Sequence, residues 1–597
     1  MSQPNKNASQ SMATLKRLLG YLAPRRTRLV VVLIAVMLST LFAVLGPKVM
    51  GNTVTEVFEG AYAKLTGTGE GVDFVQVGKM LLLLAGLYIF SSLFTFMQQY
   101  LMASVAQNTV YDLRADIFKK LERLPLNYYD SHSHGDTLSR VINDIDTIGN
   151  TLQQSITQFI RSMVMLVGIT IMMLTISPLL TLIAIVSIPV SLFVIKPFLK
   201  KSQNYFTNQQ HSLGKLNGHI EEMYTGHQVI KAFGQEAHAQ RTFDDMNEEL
   251  YNAGRRAQFI SGIINPVMTF IGNLSYVLIS IVGGLLVTQR AISIGDIQAF
   301  ITYTKQFNQP INQTANIANV IQATIAAARR VFDLLDEEEE IAETASGEVS
   351  SAEGAVTFNH VAFGYDDELL MEDLNIDVKP GEMVAIVGPT GAGKTTMINL
   401  LMRFYEVNAG SIEVDGKNIQ SMSRHDLRAQ FGMVLQDTWL FNGSIKDNIA
   451  YGKRDASETD VIEAAKSARA DQFIRTLPDG YDTILNQDAS NISQGQKQLL
   501  TIARAILADP PIMILDEATS SVDTRTEVFI QEAMKQMMEG RTSFVIAHRL
   551  STIQNADKIL VMNQGDVIEQ GTHDELLEQQ GFYADLYNSQ FADEQAG

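Results

Sequence analysis

The chain has 597 residues, enough for several domains, with 46% hydrophobic residues, only 19% charged residues and a net charge of −19. The negative balance and the lack of a basic stripe disfavour a nucleic-acid partner. The sequence contains no cysteine, which excludes disulfides, thiolate metal sites and cysteine nucleophiles.

Long uncharged stretches fill the first half of the chain. A helix that crosses a bilayer needs about 20 apolar residues, and this many stretches of that length disfavour the alternative, buried helices of a soluble protein. Ser177-Pro178 marks the turn between the third and fourth spans. Together the spans form a predicted transmembrane domain over residues 29–330. The predicted spans are at about 29–49, 80–104, 157–176, 179–199, 259–287 and 295–320.

Basic residues cluster before the first predicted span, whereas residues 50–78 carry acids and few basic residues. Because Lys and Arg concentrate on the cytoplasmic side of a membrane, we expect residues 1–28 to be cytoplasmic. An even number of crossings then returns the C-terminus to the same side. Residues 13–22 have apolar residues at helical spacing, which fits either an interfacial helix or a plain extension of the first span. The basic cluster consists of Lys16, Arg17, Arg25, Arg26 and Arg28.

The sixth predicted span contains several polar residues. Its candidates for contact with a transported substrate are Lys305, Gln306, Asn308 and Asn312, because polar groups inside a membrane are costly and often functional. The alternative is a helix that is already leaving the bilayer at this point.

An acidic segment over 331–355 is the predicted linker, and a second domain follows over 356–590. Within it, the stretch from Gly388 to Thr395 fits G-x-x-x-x-G-K-[ST] between an apolar strand and a helix. Such a loop wraps phosphates with backbone N–H groups at the positive end of the helix. The pattern predicts ATP with Mg²⁺, with Lys394 on the β- and γ-phosphates and Thr395 on the metal. The predicted ATP-binding residues of this loop are Gly388, Pro389, Thr390, Gly391, Ala392, Gly393, Lys394, Thr395 and Thr396.

A second apolar strand, starting near residue 511, ends in Asp516-Glu517. Burying a carboxylate is costly unless the charge is paired, and Mg²⁺ beside Asp516 would supply the partner. Glu517 would then polarise the attacking water. An ordinary strand end capped by acids is the alternative.

These features resemble the ABC transporter family. The first half resembles the membrane domain of ABC exporters, and the segments around 129–148 and 216–236 resemble the loops that dock on the ATPase domains. The resemblance implies a multidomain fold, in which an all-α six-helix transmembrane domain is followed by an α/β P-loop ATPase domain with a helical subdomain. It also implies ATP hydrolysis coupled to transport by alternating access, in a multi-pass protein of the bacterial cytoplasmic membrane.

Further residues match motifs of that family. Tyr365 in "FGYDD" resembles the aromatic residue that stacks on adenine, and Gln436 in "VLQDTWLF" resembles the glutamine that senses the γ-phosphate. Asp523 resembles the acid of the loop that joins two ATP sites, and His548 in "VIAHRL" resembles the switch histidine. The implied catalytic residues are Glu517, His548 and Lys394, and the implied metal-binding residues are Thr395, Gln436 and Asp516.

The stretch "NISQGQKQLL" (491–500) resembles the signature motif, which contacts the ATP of a second chain. Its implied contact residues are Ser493, Gln494, Gly495 and Gln496, and the family usually has glycine where this chain has Gln494. Glycine permits close backbone approach, so we expect the glutamine side chain to crowd or redirect the contact with the phosphate. Losing one hydrogen bond to a charged group costs about 1.5–3 kcal/mol, or about 10- to 100-fold in closing or turnover.

The altered signature bears on whether the partner is a second copy of the chain or a different chain, because the ATPase domains of this family close head to tail. An intact Glu517 with this signature resembles one subunit of bacterial heterodimeric multidrug exporters. The resemblance implies ATP-driven export of amphipathic, drug-like compounds by a heterodimer with one competent and one degenerate ATP site. A homodimer, a lipid flippase and a peptide exporter are the alternatives. The expected partners are a second half-transporter, membrane lipid and an amphipathic small molecule.

Overall fold

The computed structural model describes residues 3–68, 70–340, 353–366, 368–436, 438–486, 489–516, 523–547 and 549–590. The chain divides into two compact units. The first consists of Met1–Glu122 and His134–Glu337, and the second of Arg123–Ser133 and Glu338–Gly597. The second unit therefore includes a short segment from the first half of the chain.

The first unit is helical. Three of its helices have 48, 48 and 53 residues, and at about 1.5 Å per residue each is more than twice as long as the ~30 Å hydrocarbon core of a bilayer. These helices therefore extend well beyond a membrane. The helices are α1 (Gln3–Leu22), α2 (Arg26–Leu65), α3 (Phe74–Leu121) and then, after α4 (Leu126–Ser131) of the second unit, α5 (His134–Ser139), α6 (Ile145–Asn150), α7 (Ile156–Ile176), α8 (Pro178–Thr225), α9 (His227–Ala232), α10 (Glu236–Thr288) and α11 (Ile294–Asp336).

Within the described chain, five helical stretches are long and apolar enough to cross a membrane, and the first five predicted spans fall in them. The third and fourth are separated at Ser177, whose hydroxyl accepts a hydrogen bond from the N–H of Leu180 at 3.4 Å. The sixth predicted span lies in α11, a helix of 43 residues, and stays a prediction. The five stretches are Gln10–Leu65, Phe74–Leu121, His134–Ile176, Pro178–Thr225 and Glu236–Thr288.

Helices α2 and α11 touch through two glycines. A Cβ on Gly51 would lie 2.4 Å from the carbonyl oxygen of Gly295, and a Cβ on Gly295 would lie 1.7 Å from that of Gly51. Beside this contact, Lys48 pairs with Asp296 at 2.5 Å. The close approach therefore requires glycine on both helices, and it places the ion pair between them.

The second unit is an α/β domain. Its strands are β1 (Val356–Phe363), β2 (Met371–Val378), β3 (Met383–Val387), β4 (Ala409–Val414), β5 (Lys417–Asn418), β6 (Phe431–Val434), β7 (Gly443–Ser444), β8 (Ile484–Leu485), β9 (Ile512–Asp516), β10 (Thr542–Ile546), β11 (Lys558–Asn563) and β12 (Asp566–Gly571). Its remaining helices are α12 (Lys394–Leu401), α13 (Arg424–Arg428), α14 (Ile445–Ala450), α15 (Glu458–Ser467), α16 (Asp471–Ile474), α17 (Gln494–Ala508), α18 (Thr524–Met538), α19 (Leu550–Gln554), α20 (His573–Glu578) and α21 (Phe582–Gln590).

Two larger sheets organise this unit. One has the order β2-β1-β4-β5, and the other has the order β12-β11-β3-β10-β9-β6. Helices α14 to α17 form a helical subdomain around buried residues such as Ile449, Val461 and Leu500. The predicted fold class, a helical membrane-type domain followed by an α/β ATPase-type domain, is confirmed.

The second sheet brings several chain segments to one edge. Strands β6, β9, β10 and β3 are parallel neighbours, with Val434 opposite Leu515 and Asp516 opposite Ile546. The carboxyl ends of parallel strands meet at the same edge, which is where α/β proteins bind ligands. The segments that leave these strands therefore form the candidate site.

Candidate functional site

The loop between β3 and α12 has a backbone that only glycine adopts readily. Gly388, Gly391 and Gly393 have φ angles of 153°, 84° and 95°. A Cβ on Gly388 would lie 2.2 Å from the carbonyl oxygen of Met562, so this position has neither the conformation nor the space for a side chain. The loop ends at the N-terminus of α12, whose free N–H groups attract anions.

Lys394 is the first residue of α12 and closes this loop. Its Nζ donates hydrogen bonds to the carbonyl oxygens of Gly388 at 2.6 Å and Pro389 at 3.1 Å. Burial lowers the pKa of this amine, and the nearby Asp516 carboxylate opposes that shift. A phosphate oxygen is a stronger acceptor for an ammonium group than a neutral carbonyl, so the arrangement suits Lys394 to a phosphate ligand.

The two threonines after Lys394 face different surroundings. The side chain of Thr395 is exposed, as a ligand-binding hydroxyl at this edge needs to be. Thr396 is buried, and its Oγ1 lies 3.0 Å from the hydroxyl of Tyr365. The ring of Tyr365 stands edge-on to Tyr405, with the centroids 5.0 Å apart, and is 44% exposed. Thr396 and Tyr405 thus fix one side of Tyr365, and the other side is exposed.

Tyr405 is a residue that the sequence reasoning missed. Its hydroxyl donates to a carboxylate oxygen of Asp130 in α4, within the second unit. Burial and the hydrogen bond to Asp130 both raise the pKa of Tyr405, so the phenol stays protonated as a donor. Tyr365, Tyr405 and Asp130 form a continuous line of contacts from the candidate site to α4, which lies partly in the segment 129–148. The only sequence signal was the aromatic pair "FY" after α12.

The strand ends supply the polar groups of the edge. Asp516 ends β9 and is partly buried, and Gln436 lies two residues beyond β6 with an exposed side chain. Asp516 lies opposite Ile546 of β10, and Ile546 lies opposite Ile386 near the end of β3, so this carboxylate is at the edge where the phosphate loop begins. Thr395, Gln436 and Asp516 supply hydroxyl, amide and carboxylate oxygens, which are the ligands that Mg²⁺ prefers. Glu517 and His548 lie outside the described residues, and their roles stay predictions.

The signature residues begin α17. Ser493 caps the helix, since its hydroxyl accepts from the N–H of Gln496 at 3.3 Å while the Gln496 side chain accepts from the N–H of Ser493 at 2.9 Å. Gly495 is buried, and Gln494 is exposed with its Nε2 3.5 Å from Thr438 Oγ1. Gln494 has ordinary helical geometry. The backbone therefore does not itself require glycine there.

Asp523 is the residue that caps α18. Its carboxylate accepts from the N–H of Thr526 at 3.0 Å, and this backbone hydrogen bond lowers the pKa of the carboxyl group. The structure thus gives Asp523 a local capping role. Its predicted role between two ATP sites stays a prediction.

Arg504 is a second residue that the sequence reasoning missed. It extends from α17 and donates to the carbonyl oxygens of Asn448 at 2.9 Å and Trp439 at 3.1 Å. Burial lowers its pKa. These bonds connect the loop that follows Gln436 to the helix that carries the signature. No sequence pattern marked Arg504, because its partners, which include the side-chain oxygen of Asn448 at 3.1 Å, lie 56 and 65 residues away in the chain.

The substrate candidates of the sixth predicted span belong to α11 of the first unit. Lys305 lines a cavity of about 370 Å³ between α8, α10 and α11. Gln306 has a buried Oε1 without a hydrogen-bond partner among the described residues. The side chains of Asn308 and Asn312 lie outside the described part of α11.

We expect Tyr365→Ala to raise the KM for ATP about 10-fold, because aromatic stacking on a base contributes about 1–3 kcal/mol. Tyr365→Phe keeps the ring and removes only the bond to Thr396, so its KM is expected to stay within about threefold of the unsubstituted value. Steady-state ATP hydrolysis measures both. An unchanged KM in Tyr365→Ala would show that the exposed face of this ring does not contact ATP.

Comparison with known proteins covers nearly all of the chain. Residues 29–311 match a family described as "ABC transporter transmembrane region", and residues 371–520 match a family described as "ABC transporter". A Mycobacterium bovis protein named "fatty acid ABC transporter ATP-binding/permease protein" is 44% identical, over 97% of either chain. An uncharacterized ABC transporter ATP-binding protein of Bacillus subtilis is 46% identical, over 98% of this chain and 95% of its own. An "ATP-dependent lipid A-core flippase" of Syntrophus aciditrophicus is 33% identical, over 99% of this chain and 96% of its own.

Proposed function

The chain belongs to the ABC transporter family, and from that premise we propose that it exports fatty-acid-like amphiphiles as one half of a two-chain transporter. It is a membrane protein whose ATP hydrolysis is coupled to transport. The observation that carries the choice of substrate is the 44% identity, along nearly the whole length of both chains, to a transporter named for fatty acids. Drug-like compounds, which the sequence analysis predicted instead, share the amphipathic character but lack this support.

In this proposal each predicted site residue has one task. The phosphate loop and Lys394 bind the phosphates, and Tyr365 stacks on the base. Thr395, Gln436 and Asp516 hold Mg²⁺, which supplies positive charge beside the phosphates when it is bound. Glu517 polarises the attacking water, and His548 contacts the γ-phosphate. In this proposal both termini are cytoplasmic.

The partner in this proposal is a second half-transporter with a different sequence. Its signature closes on the ATP held by Lys394, and this chain's Ser493 and Gly495 close on the ATP of the partner. Gln494 makes that second site the slower one. The support is the departure of this one position from the glycine usual in the family.

A lipid with two or more acyl chains is the second candidate, since a lipid A-core flippase is 33% identical to the chain. It would use the same ATP site and the same helices. The two candidates differ in the number of acyl chains and in the head group. Palmitate and a fluorescent phospholipid therefore serve as the two test substrates.

The test is ATP-driven movement of palmitate in proteoliposomes that contain the full chain, alone and with its candidate partner. We expect ATP-dependent movement of palmitate and stimulation of ATP hydrolysis by palmitate, both at least about twofold above vesicles that contain Lys394→Met. A fluorescent phospholipid tests the second candidate in the same vesicles. Hydrolysis of ATP without movement of palmitate would contradict the proposed substrate.

A further inference from the structure

The predicted spans carry an unbalanced positive charge. They contain four basic residues, Lys48, Arg161, Lys196 and Lys305, and a single acid, Asp296. Asp296 is paired with Lys48. A second copy of this chain would bring the same spans and the same single acid, so it would not supply a free carboxylate. The spans are therefore left with basic groups that have no acid of their own to pair with.

Lys305 is the basic residue that lines the cavity between α8, α10 and α11. It lies about 16 Å along α11 from Ile294, so a span that enters the bilayer at Ile294 would hold it near the middle of a ~30 Å hydrocarbon core. Among the described residues it has neither an ion-pair nor a hydrogen-bond partner. An ammonium group at this depth is costly unless water or an anion accompanies it, so the cavity has to hold one of the two.

Part of the cavity wall is polar and suits the polar end of an amphiphile. Ser187, Ser191 and Thr304 donate their hydroxyl hydrogens to carbonyls of their own helices, at 2.6, 2.7 and 2.9 Å. Their oxygens remain as acceptors for an ammonium group. Asn273 and Tyr276 add an amide and a phenol. Polar groups therefore surround Lys305 while the charge itself stays unbalanced.

Apolar side chains complete the same lining. Met268, Ile271 and Ile279 come from α10, and Ile301 comes from α11. A ligand that fits this combination has one anionic group for Lys305 and a hydrocarbon part for the apolar wall. A neutral drug-like compound would leave the charge of Lys305 unmatched.

We propose that this cavity binds the carboxylate of a fatty acid through Lys305 and directs its acyl chain along the apolar wall. The inference rests on the proposed function and deepens it, because it assigns a binding site and a head group to the substrate. A carboxylate is favoured over a phosphate head group, because the cavity offers one cation and a phosphate monoester carries more charge. The role of Lys305 is to select the ionised head group.

The test compares the binding of palmitate, hexadecanol and phosphatidic acid to the full chain in nanodiscs. Palmitate and hexadecanol have the same chain length and differ in the charged head group, and phosphatidic acid presents a phosphate. We expect palmitate to bind about 10- to 100-fold more tightly than hexadecanol, as a charge-assisted hydrogen bond predicts. Lys305→Met should abolish this preference, and Lys305→Arg should retain most of it.

Lys196→Met is the matched control. It removes one positive charge from a predicted span, at a residue that is not among the described residues lining the cavity, and it should keep the preference. Basal ATP hydrolysis verifies that every variant is folded, since Lys305 and Lys196 are not part of the ATP site.

The outcomes separate the site from the function. If Lys305→Met keeps the preference for palmitate, the proposed site is wrong, but the proposed transport of fatty acids is not contradicted. An acid of the partner that neutralises Lys305 would give this same result and would equally contradict the site. A Lys305-dependent preference for phosphatidic acid over palmitate overturns the carboxylate assignment. If the active, unsubstituted protein neither binds nor moves palmitate, both the site and the proposed function are wrong.

Discussion

Lys394→Met is expected to lower ATP hydrolysis by about 100- to 1,000-fold. Removing one preorganised group that stabilises transition-state charge costs about that much in other enzymes, and Lys394 is the cation that starts α12 at the phosphate loop. Its present partners are two carbonyl oxygens of the loop, at 2.6 and 3.1 Å. These are acceptors that an anionic phosphate would replace. Hydrolysis by the purified full chain in nanodiscs, at saturating ATP and Mg²⁺, measures the loss.

Lys417→Met is the matched control for this prediction. Lys417 is an exposed lysine in β5, away from the second sheet, and its substitution should leave hydrolysis unchanged. Thermal unfolding verifies that Lys394→Met is folded, and a fluorescent ATP analogue separates lost binding from lost turnover. A loss below about tenfold in a folded variant would mean that Lys394 does not act on the transferred phosphate.

The phosphate loop was predictable because its chemistry is local. Gly388, Gly391 and Gly393 have the backbone angles that only glycine adopts readily, and the strand and helix that hold them are adjacent in the chain. Ser177-Pro178 was predictable for the same reason, since proline suits the first turn of a helix and serine its cap. A motif whose parts lie within about ten residues can be read without knowledge of the fold.

The line from Tyr365 to Asp130 was not predictable. Tyr405 and Asp130 are 275 residues apart in the chain, and neither residue type is unusual for its position. Only packing brings α4 against the rest of the second unit. Arg504 escaped notice for the same reason, because its partners Asn448 and Trp439 are 56 and 65 residues away in the chain.

The end of α11, the helix that contains the sixth predicted span, shows that composition alone can place a linker too early. The acidic stretch predicted a linker from residue 331, yet α11 continues to Asp336. Arg330 forms a two-pronged ion pair with Asp144, at 2.8 and 2.5 Å, and Leu334 is fully buried. Tertiary contacts therefore hold the last turns of α11 in a region whose composition alone is typical of a linker.

Gln494→Gly is expected to raise ATP hydrolysis by the lone chain about 10-fold. If two copies of the chain form a homodimer, the altered signature contacts both ATP molecules. Gln494 then hinders closure of the ATPase domains at both sites. The structure limits the explanation to the side chain, because Gln494 has regular helical geometry and only a 3.5 Å contact with Thr438. Glycine at the first turn of α17 costs about 1 kcal/mol or less, which the cap formed by Ser493 and Gln496 tolerates.

Two companion variants make this prediction decisive. Gln494→Ala removes the long side chain but keeps a Cβ, so it distinguishes crowding by the side chain from a need for glycine itself. Glu517→Gln, added to Gln494→Gly, should lower the gained activity by about 100-fold or more, as expected for removal of a general base.

One outcome would contradict the asymmetric arrangement. The unsubstituted lone chain would already be fully active, Gln494→Gly would leave its ATP hydrolysis unchanged, and Glu517→Gln would still abolish hydrolysis. The working unit would then be a homodimer that tolerates glutamine. In that case both ATP sites are equivalent, and the asymmetric arrangement is wrong.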